Sequence, residues 1–232
     1  MFGRRTIYTT QPEITRDNVA SVVKDALVEH NANRSEIDYL WNYYKGNQPI
    51  LGRKKEIRPE IMNCIAQNHA SEIVAFFSGY LLGEPCTYIR RGEGDGVSKE
   101  IDKLNEYMFA IDKASCDKEL ATWVYATGVG YRMCLSAEDK FADSPFNVDV
   151  CDPRTTFIVY RNDFGKPRML AAQEIKMLDD SIRYCGYTKT HYFETDGTKV
   201  FKWEPHTYDD IPIFEYSANA AKMGAFEPVI GM

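Results

Sequence analysis

The stretch RPEIMNCIAQNHASEIVAFFSGYLLGEPCTY, residues 58–88, leaves this chain fewer local options than any other. Pro59 suits the first position of a helix, where its missing N–H costs no hydrogen bond. Ile61, Ile65, Ile73, Phe76 and Tyr80 recur at helical spacing, so one face is apolar. Gly83 and Pro85 then supply a C-cap and a residue unable to continue the helix. The pattern predicts a helix over 59–82, about 35 Å long. Its second half, IVAFFSGYLL, is apolar nearly all round, which predicts burial on several sides. Cys86, Thr87, Tyr88 and Ile89 read as a strand that follows directly.

Such a spine needs other elements around it, and 232 residues suffice to build them without cross-links. Residues 1–14 read as a flexible arm. Val19, Val22, Val23, Ala26 and Leu27 mark an amphipathic helix ending near His30. Asn33 and Glu36 have capping-box spacing and open a second helix, with Ile37, Leu40, Trp41 and Tyr44 inward and Gly46 as its stop. Past the spine, Ser98 caps a helix carrying Ile101, Leu104 and Met108. Another helix spans about 116–127 and closes at Gly128. From Val129 the period changes to two, and strand-like runs follow at 129–135, 146–153, 155–161, 168–178, 181–188, 190–195, 199–205 and 211–216. Asp196-Gly197 is the clearest hairpin turn. The class is therefore α+β: N-terminal helices with one long buried helix, then a mostly antiparallel β-meander sharing their core. Near 228–232 a helix starts as the sequence stops, and so short a helix is unstable alone. The expectation is a longer parent protein.

A net charge of −6 argues against a protein whose main task is gripping phosphates. Fifteen tyrosines exceed what a small core uses, and amphipathic rings of this kind serve cores and interfaces alike. The six cysteines form no C-x-x-C pair, and reduced thiols are expected. The longest uncharged apolar run, 73–83, falls short of a membrane span.

Sites of chemistry are sparse. The loop GEGDG, with Gly92, Gly94 and Gly96, lacks the third glycine of a dinucleotide fingerprint and carries Glu93 and Asp95, so it reads as a solvated turn. His69, on the apolar stripe, reads as a core histidine; the alternative is a catalytic base or a ligand. His206 with Asp209 and Asp210 is a thin set of metal ligands, read instead as a polar turn. Asp179 and Asp180 also fall in a turn, and His30 and His191 stand alone. No catalytic, metal or cofactor site is expected. Arg53, Lys54, Lys55 and Arg58 make the one dense basic cluster, a solvated loop or a contact for DNA or an adjacent subunit.

Five segments, in this order, resemble the portal (head-to-tail connector) proteins of tailed bacteriophages. They are YYKGNQPILGR at 43–53, the block 63–88 ending in GYLLGEPCTY, ATGVGY at 126–131, DPRTTFIVYRND at 152–163 and DDIPIFEYSANAAKMGAFEPVIGM at 209–232. The closing block departs from the family at Ala218–Ala221, where asparagine is common. The resemblance implies the wing of a non-enzymatic structural subunit at 15–232, helical over 15–128 and β-rich over 129–216, with a stem helix starting near 228–232. Copies would form a ring of about a dozen at one capsid vertex, assembled in the host bacterial cytoplasm and retained in the virion. Its implied partners are double-stranded DNA in the channel, the terminase packaging motor, head-completion or adaptor proteins, and major capsid and scaffold proteins. The family's DNA-handling elements fall outside the matched segments, so no such residue carries over. A soluble hydrolase using His69 or His206, or an unrelated oligomeric interaction module, are the rival readings.

Overall fold

The computed structural model describes residues 3–54, 56–57, 64–89, 95–137 and 143–230, with residues 95–98 as backbone only. Its architecture is α+β, helices followed by mostly antiparallel strands. Helix α1 (Val19–Tyr44) runs unbroken through the expected boundary near His30. At about 1.5 Å per residue it is about 39 Å long. Asn33 does not cap a second helix. Its side-chain oxygen accepts the Arg5 N–H at 2.9 Å and its amide donates to the Arg5 carbonyl at 2.8 Å. A group expected to serve a helix start thus ties down the N-terminal segment.

That segment is not the expected free arm from Gly3 onward. Strand β1 (Ile7–Thr9) pairs in parallel with β4 (Thr156–Arg161), and Ile7 and Ile14 join the core. The remaining strands of the larger sheet are β5 (Arg168–Lys176), β6 (Ile182–Thr188), β7 (His191–Thr195) and β8 (Val200–Pro205). Their order is β1-β4-β5-β6-β7-β8, and from β4 on every neighbouring pair is antiparallel, as a meander requires. Asp196-Gly197 makes the expected hairpin: Asp196 Oδ1 accepts the N–H groups of Thr198 and Lys199, and Gly197 takes φ 85°. The strand region divides, however. Strands β2 (Gly130–Ser136), β3 (Phe146–Cys151) and β9 (Ile213–Tyr216) form a second sheet in the order β3-β2-β9.

Both faces of the larger sheet are covered. Phe157, Val159, Leu170 and Phe193 pack against Val19, Val22, Val23 and Ala26 of α1. From the opposite face, Ile158 and Ala171 meet Tyr131, Cys151 and Ile213 of the smaller sheet together with Ile37. Alternation along β4 explains why four consecutive residues, Thr156–Val159, are buried. Gly186 lies where β6 passes so close to β5 that an added Cβ would sit 2.1 Å from the Ala171 carbonyl oxygen.

The spine differs most from expectation. Helix α2 (His69–Leu82) begins ten residues after Pro59, and residues 64–68 are not helical; 58–63 lie outside the described residues. Asn68 imposes the start: its side-chain oxygen caps the Ser71 N–H at 3.2 Å while its amide donates to the Tyr44 carbonyl at 2.8 Å. Nor is α2 buried on several sides, since only Ala70 and Val74 are buried. Cys86–Ile89 form no strand. The Asn105 side chain takes the place of a strand partner, bonding both the N–H and the carbonyl of Tyr88 at 2.9 Å. Asn105 belongs to α3 (Asp95–Ala110), which starts ahead of Ser98 and takes Asp95 and Gly96 into its first turn. Helix α4 (Lys113–Thr127) ends at Gly128, whose φ of 89° is an inexpensive C-cap only for glycine. The Trp41 and Trp123 rings stack at 3.7 Å and join α1 to α4. Helix α5 (Glu227–Ile230) closes the described chain.

Candidate functional site

The sequence-derived candidates are dispersed. Arg53 and Lys54 follow a 3-10 turn (Pro49–Gly52), are exposed, and take part in no ion pair among the described residues. Lys55 and Arg58 lie outside the described residues, as do Gly92 and Gly94 of the glycine-rich loop. His69 is exposed rather than in the core. Its ring nitrogens contact Glu72 at 2.9 Å and Gln67 at 3.0 Å, all within one turn. His206 donates from Nε2 to the Thr188 carbonyl at 3.0 Å, and its Nδ1 accepts the Tyr208 N–H at 3.2 Å, so both ring nitrogens are engaged. Asp210 is paired with Arg168 at 2.5 Å, and Asp179 accepts from Ser181. Among the described residues no three His, Cys, Asp or Glu converge on a metal position. Burial pushes the Cys151 thiol up to about 12, and also raises Cys116, Cys134 and Cys185, which disfavours the thiolate. A cleft of about 410 Å³ between Pro85, Cys86, Asn105, Met108 and Phe109 has a largely apolar lining, and Lys113 at its edge is engaged by Asp117.

What the fold does assemble is a polar junction around the final block of sequence. Glu227 is fully buried, and its carboxylate accepts from Gly3 N–H at 2.8 Å, Gly224 N–H at 2.9 Å and Arg4 Nη2 at 2.6 Å. Arg4 is nearly as deep and lies 3.5 Å from Glu36, which also pairs with Arg5. Burial lowers the Arg4 pKa while Glu227 and Glu36 act to raise it. Arg4 stays charged throughout the ordinary pH range. A second carboxylate, Glu215, accepts from the Tyr131 and Tyr160 hydroxyls at 3.1 Å and from Lys222 at 2.8–2.9 Å. Burial pushes both phenols up, so they remain hydroxyl donors at neutral pH. Glu215 links β2 of one sheet to β4 of the other through those hydroxyls.

The other conspicuous surface is α2. Ala70 and Val74 pack with Leu40, Ala126 and Phe226, and Phe77 stacks on Tyr125 at 5.3 Å. On the outward side Phe76 is 66 %, Tyr80 80 % and Leu81 57 % exposed. The Phe76 ring stacks with Tyr80 at 6.2 Å and meets Phe77 edge-on at 5.7 Å. A groove of about 320 Å³ opens beside this face, lined by Leu81, Leu82, Leu120, Val124, Tyr125 and Tyr216.

An apolar helix face bared to solvent, polar ties that serve only to hold segments together, and the order of the five sequence blocks agree with one comparison. Residues 24–232 match the family model described as phage portal protein, SPP1 Gp6-like. The chain belongs to the phage portal family. No curated protein matches it. The family is structural and non-enzymatic, its members associate as oligomeric rings with the capsid and with DNA, and its place is the virion. No helix among the described residues is long and apolar enough to cross a membrane. In this portal chain the matched span starts inside α1 and takes in every later element, including Glu215, Glu227 and the exposed face of α2. From sequence neither Glu215 nor Glu227 stands out as a site residue, and Phe76 and Tyr80 stand out only as members of an apolar face expected to be buried. Glu227 lies in FEPVIG, where no neighbouring cation flags a buried ion pair, and the α2 face reads as core because its residues are apolar.

Proposed function

We propose that copies of this chain close into a ring of about twelve subunits at one capsid vertex, with residues 15–232 forming the wing. The ring is the channel through which double-stranded DNA is packaged and ejected, and it makes the head–tail connection. Its further partners are the terminase packaging motor, head-completion or adaptor proteins, and major capsid and scaffold proteins. The observation that carries this reading is the family match over residues 24–232. The net charge of −6 agrees with it, because a channel lined with strong phosphate contacts would brake moving DNA. The basic stretch Arg53, Lys54, Lys55 and Arg58 is the segment of sequence we assign to an acidic partner, either DNA or the adjoining subunit.

Native mass measurement and negative-stain imaging of the full-length protein test the proposal. The expected result is a closed ring with an axial hole. A species that stays monomeric or dimeric at every accessible concentration overturns it.

A further inference from the structure

We propose that the outward face of α2, Phe76, Tyr80 and Leu81 with Phe77 at its edge, is the socket into which a second copy of this chain docks head-to-tail. The inference rests on the ring reading and names the contact that builds the ring.

Area is the first argument. The four side chains leave on the order of 500 Å² of mostly apolar surface in water, given 150–250 Å² for a whole aromatic side chain. That equals the largest apolar patch on an ordinary monomer. It also supplies most of the roughly 800 Å² that each partner contributes to a stable interface. Composition is the second. The centre of the face is uncharged and aromatic, while His69, Glu72 and Glu84 stand exposed at its two ends, which is the layout of an interface with a polar rim. Pre-organisation is the third. Phe76 and Tyr80 already stack on a helix, so docking them costs little side-chain entropy.

Charge and topology select the occupant. Acidic residues at both ends of the face disfavour DNA and anionic lipid. A ring needs a heterologous contact, in which two different surfaces of the same subunit fit each other. The chain carries a matching surface in the turn between β4 and β5, where Phe164 is fully exposed and Lys166 follows it. This turn lies by the entry to α1, since Asn162 N–H bonds the Thr9 carbonyl at 2.9 Å and Arg161 reaches the Pro12 carbonyl at 3.3 Å. Helix α2, which carries the socket, starts at the other end of α1, where Asn68 is bonded to Tyr44. The turn and the start of α2 thus meet α1 at opposite ends, so one subunit presents the two surfaces in different places. In the proposed contact Phe164 enters the groove beside Leu81, past the paired Asp117 and Arg132 of its lining, with Lys166 toward Glu72 or Glu84.

The test uses the full-length protein. Wild type is compared with Phe76→Glu/Tyr80→Glu by native mass measurement, with circular dichroism as a check on folding. The expected result is a wild-type ring and a folded variant whose ring fraction falls about tenfold or more. A ring of undiminished abundance in the variant overturns the inference and leaves the ring reading intact; absence of a ring in wild type overturns the ring reading itself. Should the double variant not fold, p-benzoylphenylalanine in place of Tyr80 decides the matter. Irradiation is expected to link two copies of the chain, with the captured peptide spanning the Phe164 turn. Cross-linking only to another protein, or none within assembled rings, overturns the proposal.

Discussion

His30 stands 4.8 Å from the Phe157 ring, and its Nε2 donates to the Arg154 carbonyl at 3.2 Å. Burial holds its pKa down to about 4, against the raising influence of that carbonyl. The unfolded chain takes up this proton near the ordinary histidine value of about 6.5, whereas the native state does not until about 4. Stability is therefore fully present above 6.5, falls as the pH drops toward 4, and stops falling from this cause below it. The loss over the window is on the order of 3 kcal/mol. Urea denaturation at several pH values checks this: His30→Gln is expected to flatten the profile between 6.5 and 4. A variant as steep as wild type would contradict the assignment. His69 shows the reverse case, a histidine of similar sequence setting that stays in solvent because α2 turns that side outward.

At the scale of elements, α2 has two apolar sides with different fates, and substitution separates them. Val74→Ala removes packing against Leu40, Ala126 and Phe226 and is expected to cost about 2 kcal/mol. Phe76→Ala deletes a larger side chain from the exposed side, and stability of the unassembled chain should move by less than about 0.5 kcal/mol. Denaturation midpoints of the two variants measure the difference, and equal costs would mean the outward side is packed in the free subunit. Hydrophobic content announced the helix but not its orientation, because Val74 and Phe76 look alike to any apolar scale. The β-region was more legible. Period-two alternation and Asp196-Gly197 marked the strands and their hairpin locally, whereas the departure of β2, β3 and β9 into a second sheet depends on pairings such as Tyr131 with Glu215, 84 residues apart.

Across the whole molecule, Arg4 and Glu227 tie the two ends of the described chain at 2.6 Å. Arg4→Met leaves the Glu227 carboxylate buried without its cation and is expected to cost about 3–5 kcal/mol. Adding Glu227→Gln removes that charge and keeps an acceptor oxygen for one of the two N–H groups, Gly3 or Gly224, so the double variant should recover part of the loss. Equilibrium unfolding of both, by urea at neutral pH, tests the expectation; a double variant weaker than Arg4→Met alone would show that the carboxylate serves something other than Arg4. The same tie fixes where α5 begins relative to the first strand.

The sequence by itself determined the α+β order, the strand periodicity, the turn at Asp196-Gly197 and the portal resemblance, because each is written in residues close together along the chain. Only the tertiary structure decided the continuity of α1, the late start of α2, the docking of Arg4 and the exposure of Phe76 and Tyr80. The first three hang on partners far apart in sequence, since Asn33 bonds Arg5, Asn68 bonds Tyr44 and Glu227 bonds Arg4; the last follows from the packing of Ala70 and Val74 on Leu40, Ala126 and Phe226. Local propensity is worth tenths of a kcal/mol per residue, and a buried bond or a packed side chain outweighs it.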